Sequence, residues 1–190
     1  MTTRCLPCAA LCLLLPGCGE PEEGQDTALS AEELLVDLVE AHGAVFEALH
    51  DHVGSQGLDW YDTAAEWPVE GEATLDSFSG VTGSVGLAWS VDLEADEHEG
   101  FYDWYWTVSM SDGELTTAAA AYLCAGDWDL RDAEFESSGR WDDFAGTVSI
   151  DGADLEEVSY EATWWGPLYS VRGSLGGDEV DWEDPNGNPP

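Results

Sequence analysis

Lysine is absent from this chain, and its 190 residues hold only four arginines against 41 aspartates and glutamates, a formal net charge of −37. That scarcity of positive charge excludes nucleic-acid binding, which needs Lys and Arg to displace counterions from phosphate. It also excludes electrostatic adhesion to anionic lipid headgroups. Long apolar runs are missing too: the longest, Cys5 to Leu15, has eleven residues, where a spanning helix needs about 20. Signatures of catalysis and metal binding are lacking. No H-E-x-x-H occurs, and His50 and His52 lie two apart, on opposite sides of a helix. The stretch Thr82-Gly83-Ser84-Val85-Gly86 has threonine where a nucleophile elbow begins with glycine, and no helix follows. Gly80, Gly83 and Gly86 fall in strand-like sequence, which excludes a phosphate cradle at a strand-to-helix turn. Aromatic residues, by contrast, are plentiful. Ten Trp, six Tyr and five Phe argue against the disorder that high charge alone would suggest. The length suits one domain with a real core.

The chain starts Met-Thr-Thr-Arg, continues through the apolar run, and reaches Leu15-Pro16-Gly17-Cys18. A cationic residue followed by a short apolar run fits a secretory signal, which ends here in Leu15-Pro16-Gly17-Cys18 instead of a small-x-small site. Leucine three before a cysteine, with a small residue directly before it, resembles the lipobox of bacterial lipoproteins. The resemblance covers the leader alone. It implies that residues 1–17 are removed and that Cys18 is lipidated and acylated, which anchors the chain to a membrane through several acyl chains. Gly19 in place of aspartate implies the outer membrane as the default address within the cell envelope. The implied processing also takes Cys5, Cys8 and Cys12 away and occupies Cys18. Cys124 remains alone and the mature chain has no internal disulfide. Loss of Arg4 moves the net charge from −37 to −38.

Residues 18–29 are acidic and carry no apolar pattern, as expected of a flexible tether behind the lipidated cysteine. Ser30-Ala31-Glu32-Glu33 is a capping box. Leu34, Leu35, Leu38, Val39, Val45, Phe46, Leu49 and Val53 follow at helical spacing, predicting an amphipathic helix over 30–53 that Gly54 or Gly57 ends. His42 falls on its apolar side. From Trp60 onward the pattern becomes β-rich. It predicts strands at 70–78, 83–93, 101–110, 114–124, 128–136, 144–150, 157–165 and 168–175. Asp112-Gly113 and Asp151-Gly152 read as tight hairpins; Gly139-Arg140, Gly166-Pro167 and Gly176-Gly177 read as turns. With no helical segment between strands, the expectation is an α+β domain over 30–183. Its N-terminal amphipathic helix packs on a mostly antiparallel, curved or partly closed β-meander. Residues 184–190 read as a disordered tail.

Two constellations bear on function. Trp104 and Trp106, with Trp164 and Trp165, are candidate ligand-facing aromatics, because a flat ring can stack on the apolar face of a pyranose. The alternative is that they fill the core. Asp92, Glu94 and Asp96 head an acidic run whose oxygen density is the weak basis for a calcium site. No EF-hand order is present, and a solvated acidic loop is the simpler reading. No cofactor is expected, and Cys124 reads as a small buried hydrophobe. The leading expectation is a lipid-anchored envelope protein with a non-catalytic structural or binding role. The alternative is carbohydrate or small apolar ligand binding through a Trp-rich sheet face. An envelope hydrolase comes third, with no motif behind it.

Overall fold

A computed structural model describes residues 28–58, 67–95, 102–133, 139–165 and 168–184. The leader, Cys18, most of the tether, Asp96 and residues 185–190 lie outside the described residues, as does the side chain of Trp165.

Helix α1 spans Ala31–Ser55. The capping box closes as the sequence requires: the Glu33 amide donates to Ser30 Oγ at 3.2 Å, and the Ser30 amide donates to Glu33 Oε2 at 2.9 Å. At its far end the Gln56 amide returns to the Val53 carbonyl, and Gly57 follows with φ +86°. Nine residues are buried: Leu35, Leu38, Val39, Ala41, His42, Val45, Phe46, Leu49 and Val53. They recur every three or four positions, so they form one stripe that must be covered by another layer.

That layer is an eight-stranded antiparallel sheet, not closed on itself, whose spatial order is the chain order. The strands are β1 (Val69–Leu75), β2 (Thr82–Ala95), β3 (Tyr102–Thr116), β4 (Ala121–Ala133), β5 (Gly139–Ile150), β6 (Glu156–Trp165), β7 (Leu168–Leu175) and β8 (Asp178–Glu183). Strands consecutive in the chain are antiparallel neighbours in the sheet, and with the helix packed on it the fold is α+β. The closest backbone approaches of α1 are to β1, β7 and β8, the strands at the two ends of the sheet. Among the described residues no helix is long and apolar enough to cross a membrane.

Strand alternation sorts the side chains onto two faces. Towards α1 point Trp106 and Val108 of β3, Trp128 and Leu130 of β4, Phe144 of β5, Tyr160 and Ala162 of β6, and Tyr169 and Val171 of β7, all buried. Phe46 meets Trp106 edge-on at 5.3 Å and Trp128 at 6.1 Å, so the helix is seated on rings rather than on small aliphatics. Glycines make room beneath them. Gly126 and Gly146 face each other across β4 and β5. A Cβ on Gly126 would lie 2.5 Å from the Ala145 carbonyl oxygen and 2.8 Å from the Phe144 ring.

Several expected boundaries move. Residues 114–124 form no single strand: Thr117 to Ala120 are the hairpin between β3 and β4. Thr117 Oγ1 accepts from the Ala119 and Ala120 amides at 3.0 and 3.1 Å, so a threonine turn overrides the strand pattern of its neighbours. Asp112-Gly113 is no hairpin. It lies inside β3, where the register against β4 shifts between Met110 and Gly113 and Asp112 takes φ +50°, the signature of a bulge. Gly139-Arg140 starts β5 instead of turning. The acidic run after Gly177 forms an eighth strand. Gly176 and Gly177, both at positive φ (+60° and +90°), fold it back in a two-residue hairpin, and Val180 turns inward. Asp151 and Gly152 do turn, with φ +51° and +77°.

Candidate functional site

Of the tryptophans singled out from sequence, Trp104, Trp106 and Trp164 share the inner face of the sheet. Trp106 is 2% exposed and packs on Phe46, so it belongs to the core and faces no ligand. The physical reason is parity. Trp104 and Trp106 are two apart on β3 and take the same side, the one α1 covers. Trp104 is partly buried against the same core. Trp164 is partly buried, stacks on Tyr169 at 5.0 Å, and lies under the Arg140 guanidinium at 4.5 Å. It also lines a groove of about 470 Å³ beside α1, with Glu40 and Glu47. Of the weak calcium ligands, Asp92 and Glu94 alternate with Leu93 on β2. Asp92 Oδ1 is occupied by the Leu93 amide at 2.9 Å. Among the described residues no three His, Cys, Asp or Glu side chains are grouped to hold a metal ion.

The outer face carries a different set. Tyr105, Arg131 and Trp141 are direct cross-strand partners on β3, β4 and β5. The Arg131 guanidinium lies 5.6 Å from the Tyr105 ring centroid and 5.1 Å from that of Trp141, a cation held between two aromatic faces. It is fixed there by Asp103 Oδ2, which accepts from Nε at 3.2 Å and from a terminal nitrogen at 2.6 Å. Asp103 is 4% exposed, and its other oxygen, Oδ1, has no hydrogen-bond partner among the described residues.

The adjacent cross-strand row is acidic: Asp129, Asp143 and Glu161 oppose one another on β4, β5 and β6. Next comes Arg172 on β7, which donates to Asp181 at 2.8 Å and to Glu183 at 3.4 Å. Like charges directly opposite on a sheet repel. The Asp143 carboxyl is accordingly held above its usual range, first by partial burial and then by Glu161 and Asp129. The two rows wall a depression of about 350 Å³. Its sides are aromatic (Tyr105, Trp141), its floor is strand backbone, and one edge is a run of carboxylates. Such a surface offers flat rings for stacking and oxygens for donors.

Beneath α1 lies a polar cluster that the sequence showed only in part. His42 is fully buried; its Nδ1 is 2.9 Å from the Tyr160 hydroxyl, and Phe144 and Trp128 flank the ring at 4.7 and 5.4 Å. Burial drives its pKa down to about 3, so the imidazole is neutral. Arg140 grips the buried Asp142 with two bonds of 2.8 and 2.5 Å and stacks on Phe46 at 4.4 Å. Desolvation outweighs that partner and lifts Asp142 to about 6. Cys124 is buried and its thiol is pushed up to about 12 by burial, which makes it a poor nucleophile.

Tyr105, Arg131 and Trp141 escaped the sequence reading because the cross-strand register that brings them together is not local. A usable signal existed: Tyr105 stands between two inward tryptophans, so alternation alone sends it outward. The chain matches no protein-family model, no curated protein and no solved structure.

Proposed function

We propose that the protein is exported, lipid-anchored at Cys18 in the cell envelope, and binds a small polar ligand on the outer face of its sheet without transforming it. The observation that carries the binding reading is the Tyr105–Arg131–Trp141 row above a depression of about 350 Å³ edged by Asp129, Asp143 and Glu161. Depressions of this size, mostly apolar with a few placed polar groups, are the usual form of small-ligand sites. Stacking on Trp141 and hydrogen bonding to the carboxylates would suit a sugar, the ligand class that the aromatic content first suggested. An apolar ligand held under the helix is disfavoured, because Trp106, Trp128, Phe144 and Tyr160 fill that space. The approach of α1 to both end strands supports a sheet that curves around an amphipathic helix and leaves its convex side open to solvent. The acidic surface then faces an extracytoplasmic, cation-containing medium, with the tether holding the domain off the membrane.

The binding claim is tested by titrating the full chain with neutral and charged small ligands, pyranosides included, and repeating each titration with Trp141→Ala. Saturable binding that this substitution removes supports the site. Turnover of a bound glycoside would replace the non-catalytic reading with a hydrolase. The anchor is tested separately by labelling cells with radioactive palmitate: label on the wild type and none on Cys18→Ala is expected, and equal labelling would end the lipoprotein claim.

A further inference from the structure

We propose that β8 is a docking edge: it takes up, as a further strand of the sheet, an extended segment of another polypeptide in which lysine or arginine alternates with apolar residues. The edge shares no residue with the outer depression. Three observations carry it.

The first is a row of backbone groups aimed away from the sheet. β8 is the last strand, with β7 as its neighbour. Gly176 and Gly177 close a two-residue hairpin, so Leu175 and Asp178 form a hydrogen-bonded pair, and every second pair after them repeats the pattern. At the far end the Asp184 amide donates to the Tyr169 carbonyl at 2.9 Å, in keeping with that parity. Val180 and Trp182 therefore bond to β7, whereas the amides and carbonyls of Glu179, Asp181 and Glu183 point to the open side. Among the described residues no backbone group meets them. Such an edge is a template for strand addition.

The second is the charge along that edge. Glu179, Asp181 and Glu183 are exposed on the outer face, while Val180 is buried and Trp182 partly buried on the inner one. Arg172 reaches this row from β7 and is divided between Asp181 and Glu183. Pairing with β8 of a second copy, or with Glu70 and Glu72 on its β1, would set carboxylates opposite carboxylates. A strand with basic residues at the outward positions turns that repulsion into attraction.

The third is room for an apolar side chain on the inner side. A pocket of about 260 Å³ lies where β8, the first half of α1 and the hairpin between β3 and β4 meet, lined by Leu29, Val36, Ala119 and Trp182 with Glu40. Leu29 is 40% exposed there. An added strand directs its alternate side chains to this inner side, next to Trp182. Backbone bonds then supply affinity, and the acidic row and the pocket select basic and apolar residues in turn.

The test is titration of the full chain with a synthetic heptapeptide of alternating lysine and valine at about 0.15 M salt, where diffuse attraction to the acidic surface is screened. Calorimetry and backbone amide hydrogen exchange are the readouts. One saturable site is expected, with exchange at Glu179, Asp181 and Glu183 slowed on binding. Two further peptides, methylated on either the lysine or the valine backbone nitrogens, keep the charge and side chains. Only one set of nitrogens can face β8, so one of the two peptides is expected to bind about tenfold or more weakly and the other like the parent. Glu179→Pro removes an edge amide and spares the β7 ladder; it is expected to bind about tenfold or more weakly than Glu179→Gln, which removes the same charge. Parent-like binding of both methylated peptides, or equal binding by the two Glu179 variants, would overturn the proposal in favour of diffuse counterion attraction. Absence of a saturable site would overturn it outright. Sedimentation of the chain alone should show a monomer, and a dimer that Glu179→Pro dissociates would overturn it by assigning the edge to a second copy.

Discussion

Acid should loosen this protein through one imidazole. His42 is fully buried and neutral, with a pKa of about 3 in the folded chain, against about 6.5 in an unfolded one. Between those values the unfolded state binds the extra proton, so stability rises with pH across the window and falls as pH drops through it. The full span corresponds to about 5 kcal/mol, at about 1.4 kcal/mol per unit. Between pH 7 and pH 5 the same linkage gives about 2 kcal/mol. Asp142 works in the opposite sense. Its folded pKa of about 6 lies above the unfolded value, so it favours the folded state as pH falls from about 6 towards 4. Relief of repulsion among the other carboxylates acts in the same direction as Asp142. The His42 contribution therefore has to be isolated as a difference. The comparison is wild type against His42→Leu/Tyr160→Phe, which removes both members of the 2.9 Å hydrogen bond and leaves no orphan. Urea unfolding followed by tryptophan fluorescence at pH 7, 6 and 5 gives both stabilities well above the pI near 4.1. The gap should close in the variant's favour by about 2 kcal/mol from pH 7 to pH 5. A gap that stays constant would mean that His42 is reached by water or paired at Nε2, and the burial argument would fail. The single change His42→Leu should cost about 1–3 kcal/mol at pH 7, because it strands the Tyr160 hydroxyl.

Three further outcomes test other links in the chain of reasoning. Gly146→Val should destabilise by about 2 kcal/mol or more in thermal unfolding, since a Cβ there collides with the Ala125 carbonyl oxygen and the Gly126 Cα in the paired strand. Arg140→Met alone should be strongly destabilising, by about 3 kcal/mol or more, because it abandons the buried Asp142. Arg140→Met/Asp142→Leu should recover most of that loss in the same urea assay. Added salt should raise the melting temperature, since 41 acids face four arginines and screening relieves the repulsion; an unchanged melting point would contradict it.

The helix was legible almost to the residue. Ser30 and Glu33 are three apart, and a capping box needs nothing else; the stripe from Leu35 to Val53 is likewise a local periodicity. Hairpins with their own backbone chemistry, Asp151-Gly152 and Gly176-Gly177, were equally local. Where reading failed, two local signals competed. Thr117 turned the chain inside a run whose flanks favoured a strand, and Asp112-Gly113 spent its positive φ on a bulge instead of a turn. No strand was expected over Asp178–Glu183, yet Val180 and Trp182 alternate with its acids and the Gly-Gly turn delivers it to the edge of β7.

Composition and local pattern determined that this chain is acidic, aromatic-rich and built from one helix followed by antiparallel strands. Which face each ring occupies was decided only by the tertiary structure. Trp106 went under α1 because the sheet's inner parity and the helix stripe had to meet. Tyr105, one residue away, went outward and found Arg131 and Trp141 through registers set 26 and 10 residues along the chain. The buried pair Arg140 and Asp142 is of the same kind: two residues apart in sequence, but buried only because Phe46 and Trp164 close over them. Side-chain chemistry is local, whereas burial and convergence depend on strand pairing between distant segments, and those two properties make a site.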